Sequence, residues 1–163
     1  RPVELADDQV PIMPVLKFVV QEYLKINVEY DQVWLLMACA PLIQSLEFVG
    51  MANVMDGHDG RRKVLAVAPY PAPPEWAFKF GSEGILIPVN SGLHSKSSQD
   101  LEQNYYDTGS IAVFPTAEIL DSTGVGNVSD FLGYVLPTYK VVDIDSLEDL
   151  NLAEILSIQV GSE

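Results

Sequence analysis

Asp143 and Asp145 are the residues of this 163-residue chain whose type and spacing best suit chemistry. They stand in the run Val141-Val142-Asp143-Ile144-Asp145-Ser146-Leu147-Glu148-Asp149. Read as a strand, alternate side chains share a face, so the two carboxylates point the same way with Cα atoms about 6.5–7 Å apart. Ser146 is a good helix N-cap, and Asp149 follows it in a capping-box arrangement. Leu147, Leu150, Ala153, Ile155 and Leu156 then supply a helical apolar stripe. The pair therefore falls where a strand ends and a helix begins, the place where open α/β sheets bind ligands. Two hard oxygen donors there suit Mg²⁺ carrying a phosphate. Alternatively, both are solvated acids favoured by the helix dipole.

Other elements must position this pair. Apolar residues at Val15, Phe18, Val19, Tyr23 and Leu24 predict an amphipathic helix from Pro14 to Lys25, with Pro11 and Pro14 at its start. Val33 to Ala40 is short and continuously apolar, as in a strand buried on both faces of a parallel sheet; a buried helix is the alternative. Pro41 ends it, and Ser45 could cap a helix carrying Leu46, Val49, Ala52 and Met55. Gly57 to Arg62 is a charged turn with solvated cations, and Lys63 to Pro69 reads as the next strand. The order helix, strand, helix, strand predicts an α/β domain with a mostly parallel sheet.

From Tyr70 to Tyr106 the texture changes, with Pro71, Pro73, Pro74, a Trp76-Ala77-Phe78-Lys79-Phe80 alternation, a Gly81-Ser82-Glu83-Gly84 turn, Ile85-Leu86-Ile87-Pro88 and a polar stretch from Asn90 to Gln103. This predicts an inserted β-hairpin with a long loop, whose exposed apolar face suits a partner subunit. Ser110 to Phe114, Phe131 to Leu136 and Tyr139 to Val142 are the remaining strand candidates, with a short helix or turn after Pro115. Gly124-Val125-Gly126 lacks the third glycine and the following helix of a dinucleotide fingerprint.

Composition narrows the function classes. The net charge of −14, with only nine Lys and Arg, argues against a nucleic-acid or anionic-membrane surface as the main partner, while leaving room for a small anionic ligand held by local cations or a metal. A single cysteine, Cys39, excludes an internal disulfide and the Cys-rich zinc patterns, and its apolar surroundings predict an inert thiol. The longest apolar run, Val33 to Ile43, is too short to span a bilayer, so a soluble cytoplasmic protein is expected.

Five short motifs occur in order along the chain: Arg1-Pro2-x-x-Leu5-Ala6-x-Asp8, Ala40-Pro41-Leu42, Pro73-Pro74-Glu75-Trp76-Ala77-Phe78, Ser98-Gln99-Asp100-Leu101 with Tyr105-Tyr106-Asp107-x-Gly109, and Val142-Asp143-Ile144-Asp145 with Glu148-Asp149 and Ala153-Glu154. In this the chain resembles the acylneuraminate cytidylyltransferases, and most of all their pseudaminic acid branch.

The resemblance implies a Rossmann-like nucleotidyltransferase sheet with helices on both faces and an inserted hairpin dimerisation arm at about residues 70–108. It implies transfer of CMP from CTP to an acidic nine-carbon sugar of the sialic or pseudaminic type, with release of pyrophosphate. Asp143 and Asp145 match the family's metal-binding pair, and Mg²⁺ is the implied cofactor. Arg1, Ala40 and Pro41 fall on the nucleotide side; Arg1 is otherwise a frayed terminal charge. Gln99, Asp100, Tyr105 and Asp107 fall in the sugar-binding loop, where Gln99 is otherwise an ordinary turn residue, and Gly109, also on the substrate side, lets the backbone pass close to ligand or turn into the next strand. No side chain is assigned as a catalytic acid or base. The family's first strand and its Gly-rich cationic loop would precede Arg1, so residues 1–163 read as one N-terminally truncated domain. Met37, Ser97 and Tyr106 depart from residues common in the family. A non-catalytic, self-associating α/β homologue is the second reading, and a homodimer is expected in either case.

Overall fold

A computed structural model describes residues 1–160 apart from Asp8, Val125 and Val128. The Asp8 end of the first motif and the centre of Gly124-Val125-Gly126 thus lie outside the described residues. Helices α1 (Ile12–Lys25), α2 (Ser45–Asp56), α3 (Thr116–Asp121) and α4 (Leu147–Val160) accompany a four-stranded sheet. Its strands are β1 (Gln32–Leu36), β2 (Val64–Pro69), β5 (Tyr105–Pro115) and β6 (Leu132–Val135), in the order β1-β5-β2-β6. A separate hairpin pairs β3 (Phe78–Phe80) with β4 (Leu86–Pro88).

The expected α/β class is present, but the sheet is mixed and not mostly parallel. β5 runs antiparallel to both β1 and β2, and only β2 and β6 pair in parallel. β1, β2 and β6 nevertheless point the same way, because β5 reverses direction between the first two. A strand as apolar as Gln32-Val33-Trp34-Leu35-Leu36 suggested burial on both faces; instead β1 lies at the sheet edge, hydrogen-bonded on one side and only half-buried. The apolar run continues to Ala40, but its last residues form a turn closed by the Ala40 N–H on the Met37 carbonyl at 3.2 Å.

Strand periodicity sorts side chains onto two helical layers. Val64 and Ala66 of β2 and Ile111 and Val113 of β5 face α2 through Met51 and Met55. Ala112 and Phe114 of β5 face the other way, against Met13, Leu16 and Val20 of α1 and Ile119 of α3. Full burial of each methionine or aliphatic side chain stabilises by about 1.5–3 kcal/mol. The helix stripes are rotated from the expected ones: α1 buries Met13, Leu16 and Val20, while Val19, Tyr23 and Leu24 line a groove beside β1. Gln44, not Ser45, caps α2 through a reciprocal box with Glu47, and Leu46 and Val49 are exposed. Gly50 is required where it stands, since a side chain there would collide with the Tyr134 ring of β6.

Lys63, at the base of β2, is buried and satisfied by Glu118, by the Asn127 carbonyl at 2.7 Å and by the Phe131 ring at 4.6 Å. The expected strand at Tyr139–Val142 is absent: Thr138–Lys140 is a 3-10 turn that leads into a segment with no strand ladder. Pro137 precedes that turn and supplies no N–H for a ladder. Among the described residues no helix is long and apolar enough to cross a membrane.

Candidate functional site at the carboxyl ends of the parallel strands

The site is built around an irregularity in β5. Leu65 of β2 pairs with Ala112, but Val67 pairs with Asp107, so Ala66 alone stands opposite Thr108, Gly109, Ser110 and Ile111. Such a bulge re-aims side chains and backbone out of the sheet. Its polar groups are accounted for internally. Thr108 Oγ1 donates to the Ala66 carbonyl at 3.0 Å and lies 2.6 Å from Ser110 Oγ, and both hydroxyls are buried. Gly109 sits at φ +63°, a left-handed conformation that costs glycine little. Its N–H donates to Asp107 Oδ1 at 2.8 Å. Tyr105 and Asp107 therefore belong to a bulged strand and not to the loop expected for them, and Gly109 lies in the bulge itself.

Asp143 comes to this bulge from the other side. A Cβ on Gly109 would lie 3.9 Å from Asp143 Oδ2. The segment carrying Asp143 is held by the Ile144 N–H on the Cys39 carbonyl at 3.0 Å, which docks it on the turn after β1. The Met37 N–H donates to the Ser110 carbonyl at 2.9 Å, so the same turn also touches the bulge. Alternation survives in this segment without a ladder: Val142 and Ile144 pack with Leu42 and Ala153, while Asp143 and Asp145 are exposed. Ala40 is buried in the neighbouring turn and Pro41 is exposed beside it.

The start of α4 forms as expected. Asp149 Oδ2 accepts from Ser146 Oγ at 2.7 Å, from the Ser146 N–H at 2.8 Å and from the Asp145 N–H at 3.2 Å. The Ser146 hydroxyl and N–H, with the Asp145 N–H, hold the Asp149 carboxyl below the ordinary aspartate range. Cys39, expected from its apolar run to be inert, is half-buried and has a polar neighbour. It lies against Asp143, whose carboxylate accepts from it and pushes the thiol above its ordinary range, with burial adding to the effect. Proximity between residues so distant in sequence leaves no signal in composition or periodicity.

Asp143, Asp107, Gly109, Cys39 and Ala40 thus converge. The remaining predicted site residues are placed differently. Gln99 and Asp100 lie in an exposed 3-10 turn, Ser98–Asp100, with no hydrogen bond from either side chain among the described residues. Tyr105 is half exposed near the end of β2, and beside it the Tyr106 and Tyr70 rings pack 5.1 Å apart. Arg1 is exposed before a 3-10 turn at Val3–Leu5 and makes no ion pair among the described residues. Among the described residues no group of three or more His, Cys, Asp or Glu side chains gathers to hold a metal.

Fold and site together define an α/β protein that presents carboxylates and a strand bulge where parallel strands end, the common ligand position of such sheets. No protein-family model matches the chain. It is similar to the pseudaminic acid cytidylyltransferase of Campylobacter jejuni, at 25% identity over 156 residues, or 96% of this chain and 66% of that protein. The chain spans just under two thirds of the relative's length, and the similarity is a distant, cytidylyltransferase-like one.

Proposed function

We propose that this chain belongs to a cytidylyltransferase that transfers CMP from CTP to a nonulosonic acid of the sialic or pseudaminic type. The observation that carries the reading is convergence. Motifs far apart in sequence, Asp107-x-Gly109 and Asp143-x-Asp145, meet at the carboxyl ends of β1 and β2, with Gly109 against Asp143. The likeness to the Campylobacter protein runs over nearly the whole chain.

In the proposed reaction the anomeric hydroxyl oxygen forms a bond to the α-phosphorus of CTP, the bond from that phosphorus to the bridging oxygen breaks, and pyrophosphate leaves. The hydroxyl proton passes to a base that no residue here is assigned to be. The chain's own part is to orient and hold. Asp143 and Asp145 are the residues that would hold Mg²⁺, and two exposed carboxylates fit an ion that keeps several waters and takes phosphate oxygens as further ligands. When bound, the ion neutralises phosphate charge. The Gly109 backbone, free of a side chain, lets a ligand approach Asp143 closely. Asp107, Tyr105, Gln99 and Asp100 are assigned to the sugar side, and Arg1, Ala40 and Pro41 to the nucleotide side.

Titration calorimetry with CTP and Mg²⁺ tests the reading. Metal-dependent CTP binding is expected, and folded protein that binds neither would reject it. A second reading, a non-catalytic self-associating protein, is favoured by the hairpin. Phe78, Phe80, Ile85, Leu86, Ile87 and Val89 are all exposed on it, and a lone two-stranded hairpin is marginal in water. Under both readings this arm covers itself against a second copy.

A further inference from the structure

Besides the packing of Val142 and Ile144 on Leu42, polar ties fasten the 138–145 segment that carries Asp143 to the 37–47 segment, and two of them bear on Asp143. One is the Ile144 N–H on the Cys39 carbonyl at 3.0 Å. The other is a buried ion pair: Lys140 Nζ lies 2.7 Å from Glu47 Oε1, with the two side chains 1% and 3% exposed. Lys140 also donates to Gln44 Oε1 at 3.3 Å, while the other Glu47 oxygen accepts the Gln44 N–H at 2.9 Å. The carboxylate that caps α2 thus also grips the turn leading to Asp143. These ties bracket Asp143 along the chain, and Val142 packs inward between them.

A buried ion pair is poor at stabilising a fold, because desolvating both charges offsets most of their attraction; an apolar pair of similar volume would pack as well. What a charged pair adds over an apolar one is direction, since an ammonium and a carboxylate at hydrogen-bond distance admit few relative positions. We infer that Lys140 and Glu47 are positioning residues that set where the Asp143 carboxylate stands relative to Gly109 and the β5 bulge. The inference rests on the reading of Asp143 as a metal-holding residue, but its geometric half can be measured without metal.

The test pairs Lys140→Met with Glu47→Gln, which removes both charges while the glutamine can still accept the Gln44 N–H. Two quantities are measured on folded protein: hydrogen exchange of the Ile144 amide, and affinity for Mn²⁺ as a paramagnetic stand-in for Mg²⁺. With the melting temperature held near that of the parent, the Ile144 amide exchanges faster and Mn²⁺ affinity falls by about 10- to 100-fold, the range seen when an outer hydrogen-bond partner of a metal ligand is lost. A folded double variant with unchanged Ile144 exchange overturns the inference. If the parent binds no Mn²⁺, the metal reading of Asp143 fails by itself, and Ile144 exchange still decides the positioning role. Should the double variant not fold, Lys140→Met with Glu47→Leu, an apolar pair of similar volume that removes the directional tie without leaving a buried charge unpaired, takes its place and is judged by the same exchange measurement, with unchanged protection again overturning the inference.

Discussion

Gly109 and Asp143 face one another across the site: a side chain on Gly109 would bring its Cβ to 3.9 Å from Asp143 Oδ2. That is an ordinary contact distance, so the need for glycine lies in the backbone, at φ +63°, and not in a steric clash. Gly109→Ala is expected to cost about 1–2 kcal/mol, the penalty of a left-handed conformation for a residue with a Cβ. Gly109→Asn, which tolerates this region, loses less. Denaturant midpoints for the two variants check the order; equal losses would point to sterics instead.

The bulge depends on its buried hydroxyls. Thr108→Val leaves the Ala66 carbonyl and the Ser110 hydroxyl short of a partner, and about 1–3 kcal/mol of stability is lost. Adding Ser110→Ala should cost less than its effect alone, because the two hydroxyls satisfy each other. A double-mutant cycle by chemical denaturation gives the coupling, and additivity would contradict it.

On the proposed metal-holding role, Asp143→Asn and Asp145→Asn are each expected to weaken Mg²⁺-dependent CTP binding by more than the roughly 10-fold typical of losing an outer partner of a metal ligand. Both side chains are exposed, so the melting temperature stays close to that of the parent. Calorimetry checks the first statement and thermal unfolding the second. Unchanged metal dependence in the double variant rejects the assignment.

Acid should loosen the start of α4. The Asp149 carboxyl is held low by the Ser146 hydroxyl and N–H and by the Asp145 N–H, so its folded-state pKa lies below its unfolded one. The contribution of this cap is therefore complete above the unfolded pKa, near pH 4, and is lost as pH falls through the lower folded value. Carboxyl chemical shifts followed through acid titration check this. An Asp149 midpoint at or above that of a model peptide refutes it.

Phe80 is 83% exposed on the hairpin. Phe80→Ser is expected to leave unfolding within about 0.5 kcal/mol of the parent, as for an uncoupled surface change. Self-association, in contrast, should weaken. Sedimentation over a range of concentrations measures it, and a parent protein that stays monomeric removes the proposed arm.

Much of this was legible in the chain. The α1, α2, β2 and hairpin segments follow from local periodicity and from proline and glycine signals, because side-chain alternation and backbone limits act over a few residues. The capping of α4 by Ser146 and Asp149 was readable for the same reason. Asp143 and Asp145 are both exposed between the buried Val142 and half-buried Ile144, although no strand forms there. Only tertiary structure decided that β5 would run antiparallel between β1 and β2, that β1 would become an edge, and that Tyr105 and Asp107 would lie in a bulged strand. It alone brought Cys39 to Asp143 and Lys140 to Glu47. These are pairings between segments far apart in sequence; strand direction and a buried charge's partner depend on which surfaces fit together once hydrophobic layers close, and no local pattern encodes that choice.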